Sequence, residues 1–142
     1  MFNFARRLTF MQMTRRIVLF IAAFLLAVSV AHGQDAAKGI VEAFRKGNSV
    51  ELNALLDDKV SIVIEDKNAG SGKRAGEEAL AGFFRLHKVQ GFDLNHEGRR
   101  DESGFVVGTL RTEQGSYRVH CFLKKEKGNY FIHQIRINKN ND

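Results

Sequence analysis

The stretch "GFVVGTLRTEQGSYRVHCFLKKEKGNYFIHQIRI", residues 104–137, constrains the fold of this chain more than any other. Its apolar residues recur at alternate positions, and turn-forming residues interrupt it at Gln114-Gly115 and at Glu126-Lys127-Gly128. A period of two marks strands with one buried face, so the stretch is expected to form three antiparallel strands. A three-residue Glu126-Lys127-Gly128 loop with glycine in the left-handed position pairs Lys125 with Asn129. That sets Cys121 opposite His133 and Val119 opposite Ile135. A two-residue Gln114-Gly115 turn pairs Glu113 with Ser116 and sets Leu110 opposite Val119.

In this register one face collects Val106, Leu110, Tyr117, Val119, Cys121, Leu123, Phe131, His133, Ile135 and Ile137. The opposite face carries Phe105, Val107, Phe122, Tyr130 and Ile132 at one end. At its other end are Thr109, Arg111, Arg118, His120, Gln134 and Arg136. The first face is a core. A one-residue slip would scatter it, so the pattern supports the register. The second face is half apolar and half basic.

Upstream, "DAAKGIVEAFRKGN" places Ile40, Val41 and Phe44 on one helical stripe, stopped by Gly47-Asn48. A second helix is expected over "SVELNALLDD", with Ser49 as N-cap and Leu52, Leu55 and Leu56 inward. "KVSIVIED" alternates as a strand, "KNAGSGKR" reads as a loop, and "GEEALAGFFRLHK" as a helix burying Leu80, Phe83 and Phe84. "QGFDLNHEG" alternates again. The order helix, helix, strand, helix and four antiparallel strands predicts an α+β domain, with helices packed on one face of a curved, mostly antiparallel sheet of about five strands.

The first third has a different composition. Arginines at 6, 7, 15 and 16 precede an apolar run from Ile17 to Val30, followed by the small residues of Ala31-His32-Gly33. A run of 14 residues falls short of the roughly 20 that span a bilayer as a helix, and the pattern is that of a secretory signal peptide. Cleavage is expected between Gly33 and Gln34, with a cut after Ala31 as the next choice. This divides the chain into a signal, 1–33, and one domain, 34–142. Met13 begins a more ordinary signal, so the start is read as Met1 or Met13. Thr14-Arg15-Arg16 faintly resembles a twin-arginine signal, but the Leu, Ile and Phe density favours the general route. No cysteine follows the run to take a lipid anchor. The expected location is periplasmic or extracellular, with no membrane attachment after cleavage.

The export segment also accounts for most of the charge. The whole chain carries +6, but four of those charges are its arginines, and the remaining 109 residues hold 18 basic against 16 acidic side chains. The case for a nucleic-acid partner falls away with them. One cysteine cannot form an internal disulfide, so the domain depends on its core.

The order of elements, together with "GNSVELNALLDDKVSIVI", "FDLNHEG", "GTLRTEQGSYRV" and "YFIHQIRI", resembles a family of small exported bacterial proteins of unknown function. Their fold is the cystatin-like cone of the nuclear-transport-factor-two-like superfamily. The resemblance spans nearly the whole segment after the signal. It implies a curved sheet wrapped around a long helix, often with a pocket and often dimeric through the outer sheet face. It carries over no catalytic residue.

Four side chains are candidates for chemistry in such a cone: His133, His96, Tyr117 and Cys121. Cys121 opposite His133 is the arrangement of a thiolate and its base; the same pair also suits a small buried hydrophobe and a satisfied histidine. His96, His133 and Tyr117 are the polar groups expected to point inward, where an acid or base in an apolar pocket moves protons. The carboxylates fall outward or near strand ends. His120, next to Cys121, belongs to the other face. No histidine or cysteine spacing matches a metal site, and "NAGSGKRAG" fits neither phosphate-binding glycine motif; no metal or cofactor is expected.

The ligand or partner face is expected to comprise Arg111, Arg118, His120, Phe122, Tyr130, Ile132, Gln134 and Arg136. Its arginines suit an anionic surface, and its aromatic end suits a covering partner or a second copy. The function expected is that of a non-catalytic binding or interaction module for a small apolar ligand or protein partner, self-associating through this face. The alternative is a small cone-pocket enzyme with isomerase- or dehydratase-like acid–base chemistry on an apolar substrate.

Overall fold

A computed structural model describes residues 14–20 and 35–141. Residues 14–20 are helical and belong to a first unit, Met1–Asp35; the second unit is Ala36–Asp142. No helix among the described residues is long and apolar enough to cross a membrane. The expected cleavage point, Gly33 and Gln34, lies outside the described residues.

The second unit runs α1 (Asp35–Lys46), α2 (Ser49–Ala54), β1 (Leu56–Ile64), β2 (Lys67–Ser71), α3 (Lys73–Leu86), β3 (Val89–Arg100), β4 (Ser103–Thr112), β5 (Gly115–Glu126) and β6 (Asn129–Lys139). The strands form one six-stranded sheet in the order β2-β1-β6-β5-β4-β3. All neighbours are antiparallel except β1 and β6. The helices pack on one face of this curved sheet, as the alternation in the sequence requires. The strand not expected is β2. Its residues, "KNAGS", are all exposed except for the half-buried Gly70, so burial leaves no alternation to read.

Each helix buries the stripe its sequence encodes. Ile40, Ala43 and Phe44 of α1 and Leu80 and Phe83 of α3 are buried against the sheet. The cap of α2 is Asn48 rather than Ser49. Its Oδ1 accepts the backbone N–H groups of Val50, at 3.0 Å, and Glu51, at 3.1 Å. An asparagine oxygen one residue earlier thus satisfies two donors that the first turn leaves open. Leu56, expected in this helix, already lies on β1 beside Ile132.

The β5–β6 hairpin departs from the expected register in two steps that nearly cancel. Lys127 and Gly128 have φ of +51° and +84°, the two left-handed residues of a two-residue turn, and Lys125 pairs with Tyr130. This shifts the pairing by one and turns Tyr130 and Ile132 inward. A bulge then admits His133 as an extra residue, so that Phe122 pairs with Gln134 and Cys121 with Ile135. Beyond the bulge, Ile135 and Ile137 face inward as expected. The β4–β5 turn is likewise moved by one residue at each end, with Thr112 opposite Gly115 and Leu110 opposite Tyr117, which keeps every side chain on its expected face.

The inner face is filled. The Phe44 ring stacks on Phe92 at 5.1 Å and meets Phe84 edge-on at 6.1 Å. Phe83 meets Tyr117 edge-on at 5.2 Å. The Phe92 ring lies across Gly108 of β4, so close that a Cβ at 108 would stand inside it. Glycine at 108 is therefore what lets Phe92 reach the centre of the cone, where it is fully buried. At the far edge β3 pairs on one side only, and bulges at Gln90 and Asn95 interrupt its ladder, as befits an edge that must not recruit another strand.

Gly108→Ala is expected to cost about 1–3 kcal/mol, the range for overpacking a filled core. It should lower the urea midpoint of unfolding, and adding Phe92→Leu should recover part of the loss. An unchanged midpoint would mean that the ring has room to move.

Candidate functional site

The four side chains considered for chemistry are kept apart. Cys121 is fully buried between strands β4 and β6, opposite Val106 and Ile135. Burial pushes its thiol far above the ordinary range, so the nucleophilic thiolate is suppressed. His133 is not its neighbour. It stands on the bulge, half-exposed, with Nδ1 at 3.4 Å from Oδ2 of the buried Asp57. Asp57, at the start of β1, is thus the carboxylate partner of this histidine.

His96, expected inward, pairs with Val107 because the bulge at Asn95 turns it to the outer face, with its ring 5.3 Å from that of Phe105. Tyr117 is inward and buried, edge-on to Phe83 and to His87. Burial first, and Glu65 second, raise its phenol above 10.0, which keeps its proton in place near neutral pH. His87 stacks on Phe83 at 4.2 Å, and its Nδ1 donates to the Phe83 carbonyl at 2.9 Å. No group of three or more His, Cys, Asp or Glu capable of holding a metal gathers among the described residues.

Space is found at the rim and, with a volume of about 530 Å³, where β2 meets α3 among Ser71, Gly72, Lys73, Arg74, Ala75 and Glu78. A cavity of about 270 Å³ opens among Ala37, Glu97, Arg99, Val106 and Leu123. Beside it Tyr130 is held on the inner side. Its hydroxyl donates to the Asp101 carbonyl at 3.1 Å, and the Arg99 and Lys125 cations lie 5.6 Å and 5.9 Å from its ring centre, within the reach of a cation–π contact.

The outer face of the sheet, on which none of α1, α2 and α3 packs, is the larger feature. Across β4, β5 and β6 three rows stand side by side: Thr109, Arg118 and Asn138; Val107, His120 and Arg136; Phe105, Phe122 and Gln134. Ser61 and Val63 of β1 continue the face beside Gln134 and Arg136. Arg111 is tied by its Nε to Oδ2 of Asp93 at 3.0 Å, and Asn95 donates to Thr109 at 2.8 Å. Burial lowers the His120 pKa below 6.5, and the neighbouring Arg118 and Arg136 lower it further. The imidazole is therefore neutral at pH 7.

Of the residues expected here, Arg111, Arg118, His120, Phe122, Gln134 and Arg136 lie on this face. Tyr130 and Ile132 do not, since the two-residue turn sends them inward, and Ile132 is fully buried in the core. Phe131 takes their place, opposite Lys124. The Lys127-Gly128 pair carried the signal for this, because two successive left-handed residues favour the shorter turn. Asp57 was not legible as the partner of His133, its position having been read as helical.

This arrangement defines the class: an α+β cone of the nuclear-transport-factor-two-like kind, with α1, α2 and α3 packed on the concave side of the sheet. The chain belongs to the family described as a domain of unknown function (DUF4783), which matches residues 37–138. It is similar to a family protein from Bacteroides uniformis of known crystal structure, at 50% identity and a TM-score of 0.71, over 74% of this chain and 97% of that one. A family protein from Bacteroides ovatus matches at 47% identity and a TM-score of 0.71, over 73% and 94% of the two chains. A ketosteroid isomerase-like protein from Erwinia carotovora atroseptica shares the fold at 16% identity, with a TM-score of 0.65 over 79% and 96%. No curated protein matches the chain.

Native Cys121 is expected to stay unreactive toward a disulfide thiol reagent even at about pH 8.5, and to react only as fast as the domain opens. Absorbance at the released thiolate measures this; a prompt stoichiometric reaction of the folded protein would overturn the buried placement.

Proposed function

We propose that this protein is an exported, non-catalytic interaction module that works through the outer face of its sheet and associates with a second copy at the apolar end of that face. The observation that carries the reading is the contrast between the two faces. The inner face spends its aromatic residues on filling the cone. The outer face leaves Phe122 at 40% exposure beside Phe105 and Val107, with Phe131 two residues further along. Covering a phenylalanine contributes up to about 1.5–3 kcal/mol, so a contiguous group of this kind is a natural contact surface. The dispersal of His96, Tyr117, Cys121 and His133 to four different surroundings weighs against the alternative of acid–base chemistry in the cone.

Export rests on the composition of residues 1–33. Intact-mass measurement of protein recovered from outside the cytoplasm is expected to give a chain beginning at Gln34; a full-length mass in that fraction would contradict cleavage. For the contact surface, sedimentation of the purified protein is expected to show a dimer. Phe122→Glu should raise its dissociation constant by about tenfold or more by burying an unpaired charge while leaving the melting temperature within a few degrees. A wild type that stays monomeric at high concentration would remove the second copy from this face.

A further inference from the structure

The basic end of the outer face has no counterpart within the domain. Arg118 and His120 follow one another at alternate positions on β5, and Arg136 of β6 lies directly across from His120. Directly opposed and diagonal neighbours in a sheet stand within reach of one another's long side chains, so the two guanidinium groups flank one imidazole. Among the described residues neither Arg118 nor Arg136 makes an ion pair. The nearby acids are engaged elsewhere: Asp93 with Arg111 at 3.0 Å, Glu65 with the Lys139 backbone N–H at 2.9 Å, and Asp66 with Asn138 at 3.5 Å.

We propose that this Arg118–His120–Arg136 column docks an acidic peptide segment, with carboxylates on the two guanidinium groups and an apolar side chain beside them against Phe122, where the peptide and a second copy exclude one another. The proposal rests on reading the outer face as an interaction surface and adds the chemistry of what it receives there. Two like charges held side by side with no acid between them attract a carboxylate and orient it in the forked geometry that arginine favours. An extended peptide places alternate side chains about 6.6–6.8 Å apart on one side, close to the roughly 7–8 Å between diagonal neighbours such as Arg118 and Arg136. Val107 and Phe122 next to the column supply the apolar contact that a purely polyanionic partner would not use.

A second copy does not suit this end. A twofold contact places a patch against itself, which would set the arginines of one copy on those of the other. A nucleic acid draws its affinity from many phosphates, and a lipid surface from clusters of about 4–8 cations; two arginines and a neutral imidazole fall short of either.

The imidazole gives the docking a pH signature. His120 faces Arg118 on its own strand, Val107 and Thr109 of β4, and Gln134 and Arg136 of β6, with Val63 of β1 beyond Arg136 and the Asp93-bound Arg111 two residues past Thr109. No carboxylate among these groups is free to favour its protonation. A docked carboxylate reverses the local field and raises the pKa of His120 in the complex above its value in the free protein. Binding then takes up a proton, and affinity rises as the pH falls through the value in the complex toward that of the free protein.

The test is fluorescence anisotropy with the purified protein and a labelled peptide of about ten residues, alternating glutamate and serine around a central leucine, against the same peptide with glutamine for glutamate. The glutamate peptide is expected to bind about tenfold or more tightly at low salt, and to tighten further between about pH 7.5 and 5.5, above the usual glutamate range. The Arg118→Gln/Arg136→Gln double variant should lose the preference, and His120→Gln should lose the pH gain, each with an unchanged far-ultraviolet spectrum. Equal binding of the two peptides, or a double variant that binds as the wild type does, overturns the proposal. So does tighter, Arg118- and Arg136-dependent binding of a single-stranded oligonucleotide or of phosphatidylserine vesicles. Amide shift mapping separates the two readings. Glutamine and glutamate peptides that map equally to β4, β5 and β6 keep the outer face and remove its acidic occupant; shifts elsewhere remove the face itself.

Discussion

In the β5–β6 hairpin a two-residue turn and a one-residue bulge act against each other, and the sorting of side chains between the two faces of the sheet follows from that pair. The turn at Lys127-Gly128 needs two left-handed residues, and both have positive φ. It sets Tyr130 and Ile132 inward. Without a correction the same register would carry Gln134, Arg136 and Asn138 into the core and Ile135 and Ile137 into water, since a one-residue slip exchanges the faces. The bulge at His133 restores the order. Both ends of β6 thereby contribute isoleucines to one core.

That core packs the centre of the cone with aromatic rings. Phe44, Phe92 and Phe83 converge from α1, β3 and α3 on the centre, and the absence of a side chain at Gly108 is what admits the second of them. The thiol and phenol that looked useful in the sequence, Cys121 and Tyr117, are part of this filling, and burial holds both in their neutral forms. On the convex side of the sheet, where none of α1, α2 and α3 packs, strands β4, β5 and β6 carry ordered rows of aromatic and cationic groups. Rows of this kind are rigid, because each of these strands is held by ladder hydrogen bonds to a neighbour on both sides. A surface so preorganised loses little entropy when something settles on it.

The comparison with neighbours of the same fold has a limit set by those same residues. The isomerase-like protein from Erwinia shares the cone at 16% identity, and a shared cone says nothing about which groups occupy it. The family members from Bacteroides are similar over nearly their whole length, which fixes the architecture. Activity has to be argued from side chains.

Much of the fold was legible because it follows from local physics. Period-two alternation from Val106 to Leu123 encoded two strands and their inner face, and the stripes of Ile40 and Phe44 and of Leu80 and Phe83 encoded two helices. Arg111, Arg118, His120 and Phe122 lie on the outer face for the same reason, whereas Gln134 and Arg136 lie there because the bulge at His133 undoes the shift of the turn. Strand β2 was not legible, because an exposed edge buries nothing and so imposes no pattern. His96 and His133 were misplaced because each adjoins or forms a bulge, and a bulge answers to the twist of the whole sheet rather than to the residue that occupies it. The sequence by itself determined which segments alternate, which turn, and therefore that a two-faced sheet must be covered by helices on one side. Only the tertiary structure decided where the extra residues of the bulges fall, that Asp57 meets His133, and that Phe44 and Phe92 meet at the centre of the cone. Those depend on contacts between residues far apart in the chain, where space and curvature, rather than local preference, choose the arrangement.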